Sequence, residues 1–526
     1  MANLLRGMLR MSEDQCAEAA AIMGNNVQTA PDDPEAHFNL GLALDKLGRL
    51  DEAAACYRRA IEIKLDYADA HNNLGSVLTI LKRPDEAIAS IYRALALDPM
   101  HALAHYNLGN ALSFISGLEE AACECYRRAI AIKPDHAESH GNLGAMLDRI
   151  NRPAEVLDHL QHALALGLSS TNIYNFQGLA LAELGRYDEA IDCYHKAIAI
   201  APDEVWGHIN ESLVQLVKGD FEAGWQNYEW RWKHPDAQHN FRAFPQPLWR
   251  GGHALAGRTI LLYAEQGIGD AIQFARYVPL VAQLGAQVLL EIPRELQDLF
   301  RGFAGAGAVF VKGEALPEFD LHCPLMSLPL AFKTSLDSIP GATPYLAAPR
   351  DRVARWSHEL RAERGLKVGL VWAGNRAHKS DRKRSLPLTA LAPLFELDGM
   401  RFYSLQKDVK AGDAATLTAA RNLSDLAPDL GDFADTAAVI AQLDLVISAD
   451  TAVAHLAGAL DKPVWVLLPC APDWRWLLDR ADSPWYPGAR LFRQPVIGDW
   501  DSVIRKVAGE LRALNEAKQT ARSARQ

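Results

Sequence analysis

Three groups of residues in this chain have side-chain types and spacing suited to chemistry. The first is Asp450, Thr451 and His455, within residues 443–469, LDLVISADTAVAHLAGALDKPVWVLLP. The stretch reads as an apolar strand, a turn at Ala449-Asp450, a short helix from 451 to 460 and a second apolar strand from Pro463. Near-continuous apolar runs suit a parallel sheet covered on both faces. Asp450 and Thr451 then stand at the carboxyl end of a strand where a helix begins. Open α/β sheets bind ligands there, because free backbone N–H groups and the helix dipole point outward. His455 falls one helical turn after Thr451, on the same face. The same residues also suit a plain helix N-cap and a packed histidine, and on their types alone the two readings are even.

The second group is Gly267, Gly269 and Asp270. Residues 258–265 (RTILLYAE) read as a strand, QGIGD as a turn, AIQFARYVPLVAQLG as a helix and 287–291 as the next strand. This βαβ opening lacks the third glycine of a dinucleotide fingerprint, so nicotinamide binding is not expected. The glycines would let the backbone turn tightly and approach a ligand, and Asp270 would stand at the helix start facing an interdomain cleft. A helix cap would choose Asp as well. The third group follows the strand KVGLVW (367–372): Asn375, Arg376, Lys379, Arg382, Lys383 and Arg384. Basic runs are usually solvated faces. This one sits at a strand end in an acidic chain, where a departing diphosphate needs cationic partners. Gln406, at the end of the strand 401–405, is a further candidate donor contact.

The elements ahead of these groups are repeats. Asn-Leu-Gly recurs at Gly41, Gly75, Gly109 and Gly144, and the register continues through Gly178 and Ser212, with spacings of 34 residues and one of 35. The extra residue is placed around Cys123–Cys125. Small residues follow twelve later at Ala53, Ala87, Ala121 and Ala190. This is the tetratricopeptide pattern, two antiparallel helices per unit. Six full repeats and an N-terminal fragment are predicted. The residue four before each glycine is His37, His71, His105, His140, Tyr174 and His208, too far apart to share a metal and better read as half-buried aromatics. The residue two before is Asn39, Asn73, Asn107, Asn142 and Asn210, interrupted by Phe176. On the first helix of each repeat these amides would line a groove and pair with a polypeptide backbone of any sequence. The row resembles the asparagine ladder of eukaryotic-type protein O-GlcNAc transferases, which join such a superhelix to a GT-B catalytic unit.

The pattern D-T-x-x-x-H-L-A-x-A-L-x-x-P-V at 450–464 resembles the nucleotide-sugar signature of the lipopolysaccharide heptosyltransferases, inverting GT-B glycosyltransferases. That family usually has Gly where this chain has Ala452. Ala is compatible if the position supplies only its N–H and incompatible if it needs positive φ. The resemblance implies that Asp270 is the catalytic base, that Lys383-Arg384 stand in the family's basic segment, and that Asn375, Lys379, Lys383, Arg384, Gln406, Asp450, Thr451, Ala452 and His455 hold the donor. Asp499-Trp500-Asp501 spells D-x-D but precedes a helix, and no metal is assigned to it.

Composition bounds the rest. The chain has 526 residues, 49% hydrophobic and 23% charged, with a formal net charge of −11, which excludes a general nucleic-acid or anionic-membrane binder. Seven Cys without a paired C-x-x-C set fit reduced thiols. No segment has signal-peptide or membrane-spanning character, so a cytoplasmic location is expected. All twelve Trp lie between Trp206 and Trp500.

The expected architecture is an all-α tetratricopeptide superhelix (1–235), a linker (236–257) and an α/β GT-B fold of two Rossmann-like domains. These are the acceptor-side domain (258–350) and the donor-side domain with its closing helix (351–515), followed by a flexible tail (516–526). The expected function is metal-independent, inverting transfer from a nucleotide-sugar co-substrate to a hydroxyl of a protein acceptor. Bacterial proteins of similar layout include flagellin glycosyltransferases, which implies flagellin or another surface protein as acceptor. A glycolipid or oligosaccharide acceptor is the alternative. A non-catalytic scaffold is a third, disfavoured by the intact acidic and histidine sets.

Overall fold

The computed structural model describes residues 13–234, 242–252, 254–360, 365–376 and 381–523. It divides into two compact units, 1–181 and 182–526. Among the described residues no helix is long and apolar enough to cross a membrane.

The first unit is a tetratricopeptide superhelix. Its helices are α1 (Glu13–Thr29), α2 (Pro34–Lys46), α3 (Leu50–Ile63), α4 (Ala68–Ile80), α5 (Pro84–Leu97), α6 (Ala102–Ser113), α7 (Glu119–Ile132), α8 (Ala137–Arg149) and α9 (Pro153–Ala165), with α10 (Thr171–Glu183) running to its end. The Asn-Leu-Gly glycines are where paired helices cross. A Cβ would stand 2.7 Å from Tyr57 at Gly41, 2.3 Å from Ile91 at Gly75, 2.6 Å from Tyr126 at Gly109 and 2.5 Å from Leu160 at Gly144. The histidines at the half-buried position are structural. Nε2 of His37, His71, His105 and His140 donates to the carbonyl six residues earlier, at 2.9, 3.4, 3.1 and 3.3 Å, tying each first helix to the turn before it. The register differs from expectation at one place. The extra residue lies in the 114–118 connection rather than at Cys123–Cys125, since α6 ends at Ser113 and α7 begins at Glu119. Buried Ala122, not exposed Ala121, therefore fills the crossing.

The second unit opens with helices of the same kind, α11 (Tyr187–Ile200), α12 (Val205–Lys218) and α13 (Phe221–Tyr228). They differ from the earlier ones in what they bury. Leu216, Val217, Phe221, Trp225 and Tyr228 join one hydrophobic core with Ile260, Leu262, Val288 and Leu290 of the first sheet. Trp225 Nε1 donates to the Thr334 carbonyl at 3.1 Å. Arg231, just past α13, donates to buried Glu265 (3.1 Å) and Ser327 (2.7 Å) and to partly buried Glu229 (2.6 Å).

Two parallel sheets follow, consistent with an α/β GT-B fold. The first has β1 (Thr259–Tyr263), β2 (Gln287–Ile292), β3 (Ala308–Val311) and β4 (Leu321–Pro324) in the order β3-β2-β1-β4. The second has β5 (Leu366–Val371), β6 (Met400–Ser404), β7 (Leu423–Asp425), β8 (Leu445–Ala449), β9 (Val464–Leu468) and β10 (Ala489–Arg493) in the order β10-β9-β8-β5-β6-β7. β8 and β9 are buried along their whole length, as their unbroken apolar runs require.

The helix Phe433–Gln442 is capped by Asp432, whose side chain accepts from Asp435 N. One local expectation is corrected. The expected flexible tail at 516–526 is helical as far as it is described, because the last helix runs from Trp500 to Ser523. Asn515 donates to the Asp398 carbonyl at 3.2 Å, and Lys518 pairs with Asp444, which docks the helix on the second sheet's domain.

Candidate functional site

The carboxyl ends of β1 and β8 bring two helix starts together. Thr451 caps the helix Ala452–Ala459: its Oγ1 accepts from Val453 N at 3.3 Å and bonds Ser448 Oγ at 3.0 Å. The cap is therefore Thr451, which leaves Asp450 free of that task. Asp450 is only 7% exposed. Burial and the negative charge of Asp473 push its carboxyl up to about 6, against the pull of Arg384 and Arg475. Ala452 is the first residue of the helix and is not among the positive-φ residues, so Ala meets the backbone need at this position.

His455 is buried, its Nδ1 within 3.0 Å of Tyr486 Oη and its ring stacked on Trp476 at 5.4 Å and 17°. Burial, then Arg475, Arg276 and Arg384, drive its pKa well below the ordinary value. It is a neutral imidazole in a field of guanidinium charge.

The helix Ile268–Phe274 approaches from the other sheet. Neither Gly267 nor Gly269 is among the positive-φ glycines, so the expected sharp turn is not their reason. Space is. A Cβ on Gly269 would lie 3.0 Å from the His455 ring and 3.4 Å from Ala452 Cα. Gly267 is the N-cap, and Asp270, three residues on, accepts from Gly267 N at 2.9 Å. The other oxygen of Asp270 pairs with Arg475 Nη2.

Arg475 is the residue that sequence reasoning missed. It lies in the short helical turn Trp474–Trp476 beyond β9, 8% exposed. Its Nε donates to Gln273 Oε1 at 2.8 Å and its Nη1 to Asp473 Oδ1 at 2.8 Å. The guanidinium sits 4.3 Å over the Trp474 ring. The available signal was a lone Arg between two Trp just past a strand's ligand-facing end. Arg276 is equally buried, held by the Trp485 and Pro340 carbonyls at 2.7 and 3.1 Å.

The basic loop divides. Arg384 covers Gly374, where a Cβ would lie 2.9 Å from its Nη2, and it acts electrostatically on both Asp450 and His455. Lys383 is paired with Glu183 at 2.7 Å. Asn375 is exposed. Gln406 is buried and accepts from Trp372 N and Ala373 N at 3.1 and 2.9 Å, a strap between strand ends rather than an open contact. Lys379 lies outside the described residues. Thus Asp270, Arg475, Arg384, Asp450, Thr451 and His455 form one constellation. Among the described residues no group of three or more His, Cys, Asp or Glu side chains is arranged for a metal.

The asparagine row is less open than expected. Asn39, Asn73, Asn107 and Asn142 are half-buried. Asn107 Nδ2 donates to Asn72 Oδ1 at 2.9 Å, and Asn142 Nδ2 to Asn110 Oδ1 at 2.9 Å and Tyr106 Oη at 3.2 Å. Neighbouring repeats thereby take up part of the amides' capacity. Asn210 is buried and belongs to the second unit. Asn142 also lines a cavity of about 350 Å³ with Asn110, Ile80, Phe114, Tyr126 and Met146.

Comparison with known proteins bears on both halves. Residues 43–79 match the TPR repeat family, and 81–137 and 171–204 match tetratricopeptide repeats. Residues 400–467 match glycosyltransferase family 9 (heptosyltransferase). The C-terminal half carries a heptosyltransferase-like domain. The matched segment of that domain runs from β6 through β9 and contains Asp450, Thr451 and His455, whereas Asp270, Arg384 and Arg475 lie outside it. Protein FlbA of Caulobacter vibrioides is 25% identical over 426 residues, 70% of this chain and 71% of FlbA. Among solved structures, one of those that match aligns with 42% of this chain. The anaphase-promoting-complex tetramer Cut9–Hcn1 matches at 17% identity and a TM-score of 0.37, with 43% of its chain spanned. A TPR protein of Thermus thermophilus matches 35% of this chain and 99% of its own, at 22% identity and a TM-score of 0.29.

Proposed function

We propose that this glycosyltransferase moves a sugar from a nucleotide-sugar to an acceptor hydroxyl by a single inverting displacement, with guanidinium groups rather than a metal neutralising the diphosphate. The observation that carries the reading is the convergence of Asp270 from one sheet with Arg384, Asp450, Thr451, His455 and Arg475 from the other. The diphosphate would lie at the N-terminus of the helix Ala452–Ala459, whose dipole suits an anion, with Arg384 and Arg475 beside it. Asp270 would take the proton of the acceptor hydroxyl as its oxygen attacks the anomeric carbon. The bond from that carbon to the diphosphate oxygen breaks, and its electron pair leaves on the diphosphate, where fixed cations stabilise the developing charge. Attack from the side opposite the leaving group inverts the anomeric centre.

Titration calorimetry with nucleoside diphosphates, with and without chelator, tests the donor reading. Binding that survives chelation is expected. Binding lost on chelation overturns the metal-free reading, and failure of every nucleoside diphosphate to bind overturns the donor site.

The acceptor in this reading is a protein captured by the repeats. Its support is the tetratricopeptide unit itself and the amide-edged cavity at Asn110 and Asn142. Transfer of labelled sugar in a fractionated lysate should label protein rather than lipid. Asn142→Ala combined with Phe114→Ala should reduce that labelling severalfold while donor hydrolysis is unchanged. Label found only in lipid transfers the reading to a glycolipid acceptor.

A further inference from the structure

We infer that Arg475 is a donor-controlled latch on Asp270: the diphosphate competes with the Asp270 carboxylate for the Arg475 guanidinium, and the carboxylate is released only when the donor is seated. This rests on the donor-site reading above and adds to it a residue and an order of events.

Four observations support the latch. Asp270 and Arg475 come from different sheets, Asp270 from the helix after β1 and Arg475 from the turn after β9, and their ion pair joins the two. Both carboxylate oxygens of Asp270 are engaged, one by Gly267 N and one by Arg475, so in this state an acceptor hydroxyl must share them with two donors, one of them charged. Arg475 has its own anchors, Asp473 on the same turn and the Trp474 ring beneath it, so it stays in place when Asp270 lets go. The surroundings already favour an anion: Arg384 and Arg276 act on the same buried, neutral His455 as Arg475 does. A diphosphate brings more negative charge and more acceptor oxygens than one carboxylate, and a guanidinium fork binds such groups bidentately.

Two consequences follow. Without donor, Asp270 is held as a salt-bridged capping residue, turned to Arg475 rather than to an acceptor or water. With donor, Arg475 neutralises the leaving group while the freed carboxylate accepts the proton. The latch also weakens donor binding, because apparent affinity is the intrinsic affinity multiplied by the fraction of molecules in the binding-competent state. If Arg475 is committed to Asp270 about nine-tenths of the time, removing that carboxylate strengthens binding about tenfold.

The test is a double-mutant cycle on the full chain with a nucleoside diphosphate that the wild type binds, read by calorimetry. Asp270→Asn keeps a side-chain oxygen to accept from Gly267 N but loses the charge. It should bind the diphosphate about five- to tenfold more tightly than wild type. Arg475→Gln should weaken binding at least tenfold, and adding Asp270→Asn to it should restore nothing. If Asp270→Asn leaves affinity unchanged or lowers it, the latch is overturned. If it tightens binding equally with and without Arg475, the gain is simple relief of charge repulsion and the latch is likewise overturned. Should Arg475→Gln fail to fold, Arg475→Lys takes its place in the cycle, since it keeps the charge and loses the fork. A wild type that binds no nucleoside diphosphate overturns the donor reading itself, an outcome distinct from a wild type that binds without the Asp270 effect.

Discussion

Asp270 and Asp450 are both acids at helix starts, yet their surroundings give them different work. Asp270 accepts from the Gly267 backbone N–H and meets a guanidinium, whereas Asp450 is buried beside another acid, which raises its carboxyl to about 6. As the proposed base, Asp270→Asn should lower turnover by about 10²–10⁴-fold while the diphosphate still binds. Near-normal turnover would reduce Asp270 to a cap. For Asp450 the linkage has a definite sign. Its folded pKa lies above the ordinary 3.8, so between about pH 4 and 6 the folded chain holds more of this proton than the unfolded chain does. The group's contribution to stability therefore improves as pH falls through 6. His455, with a lowered pKa, contributes in the opposite direction, so the comparison must be made between wild type and variant. Asp450→Asn should raise the melting temperature at pH 7–8, by an amount worth at most about 3 kcal/mol, and the advantage should vanish near pH 4. Melting curves at several pH values decide it, and an advantage that does not depend on pH would refute the assignment.

At the scale of elements, the site depends on how closely two short helices pack. The helix Ile268–Phe274 passes over the helix Ala452–Ala459 at Gly269, where a side chain would press on the His455 ring. That ring is held by Tyr486 and Trp476 and has little room to yield. Gly269→Ala should therefore destabilise the second unit by about 1–3 kcal/mol. It should also weaken diphosphate binding by parting the two helix starts. A variant with wild-type stability and affinity would show that the helices tolerate separation. In the repeats, the same small-residue logic gives Gly41, Gly75, Gly109 and Gly144 their places, each against a large side chain of the partner helix.

The whole molecule does not divide where its composition changes. The linker around 235–257 is rich in Pro and Gly, but α11 to α13 lie before it and are built into the unit that carries the sheets. A fragment comprising 182–526 should fold cooperatively and bind a nucleoside diphosphate with near wild-type affinity. A fragment beginning at 242 should not. It lacks Trp225 and Arg231, exposing the apolar face of the first sheet and leaving Glu265 buried without its guanidinium. Burial already pushes Glu265 up to about 7 with Arg231 in place, and removing one partner of such a pair costs about 3–5 kcal/mol. Cooperative folding of the shorter fragment would show that these helices are dispensable.

Periodic and local features are legible in the residues alone. The 34-residue recurrence, the apolar runs of β8 and β9, and the helix starts at Asp450 and Asp270 follow from near neighbours in the chain, whose spacing fixes which face they share. The His positions were legible as structural for the same reason. Which side chains meet is set by packing between distant elements. Gln406 and Lys383 had the composition of donor contacts, but one straps two strand ends and the other pairs with Glu183. Arg475 stands some two hundred residues from Asp270 with no spacing rule between them, and its role comes from two sheets placing their strand ends face to face. The asparagine row was visible as a row, while its bonding across repeats was not. Packing one repeat on the next fixes how far apart the amides sit, and that distance let Asn107 reach Asn72 and Asn142 reach Asn110.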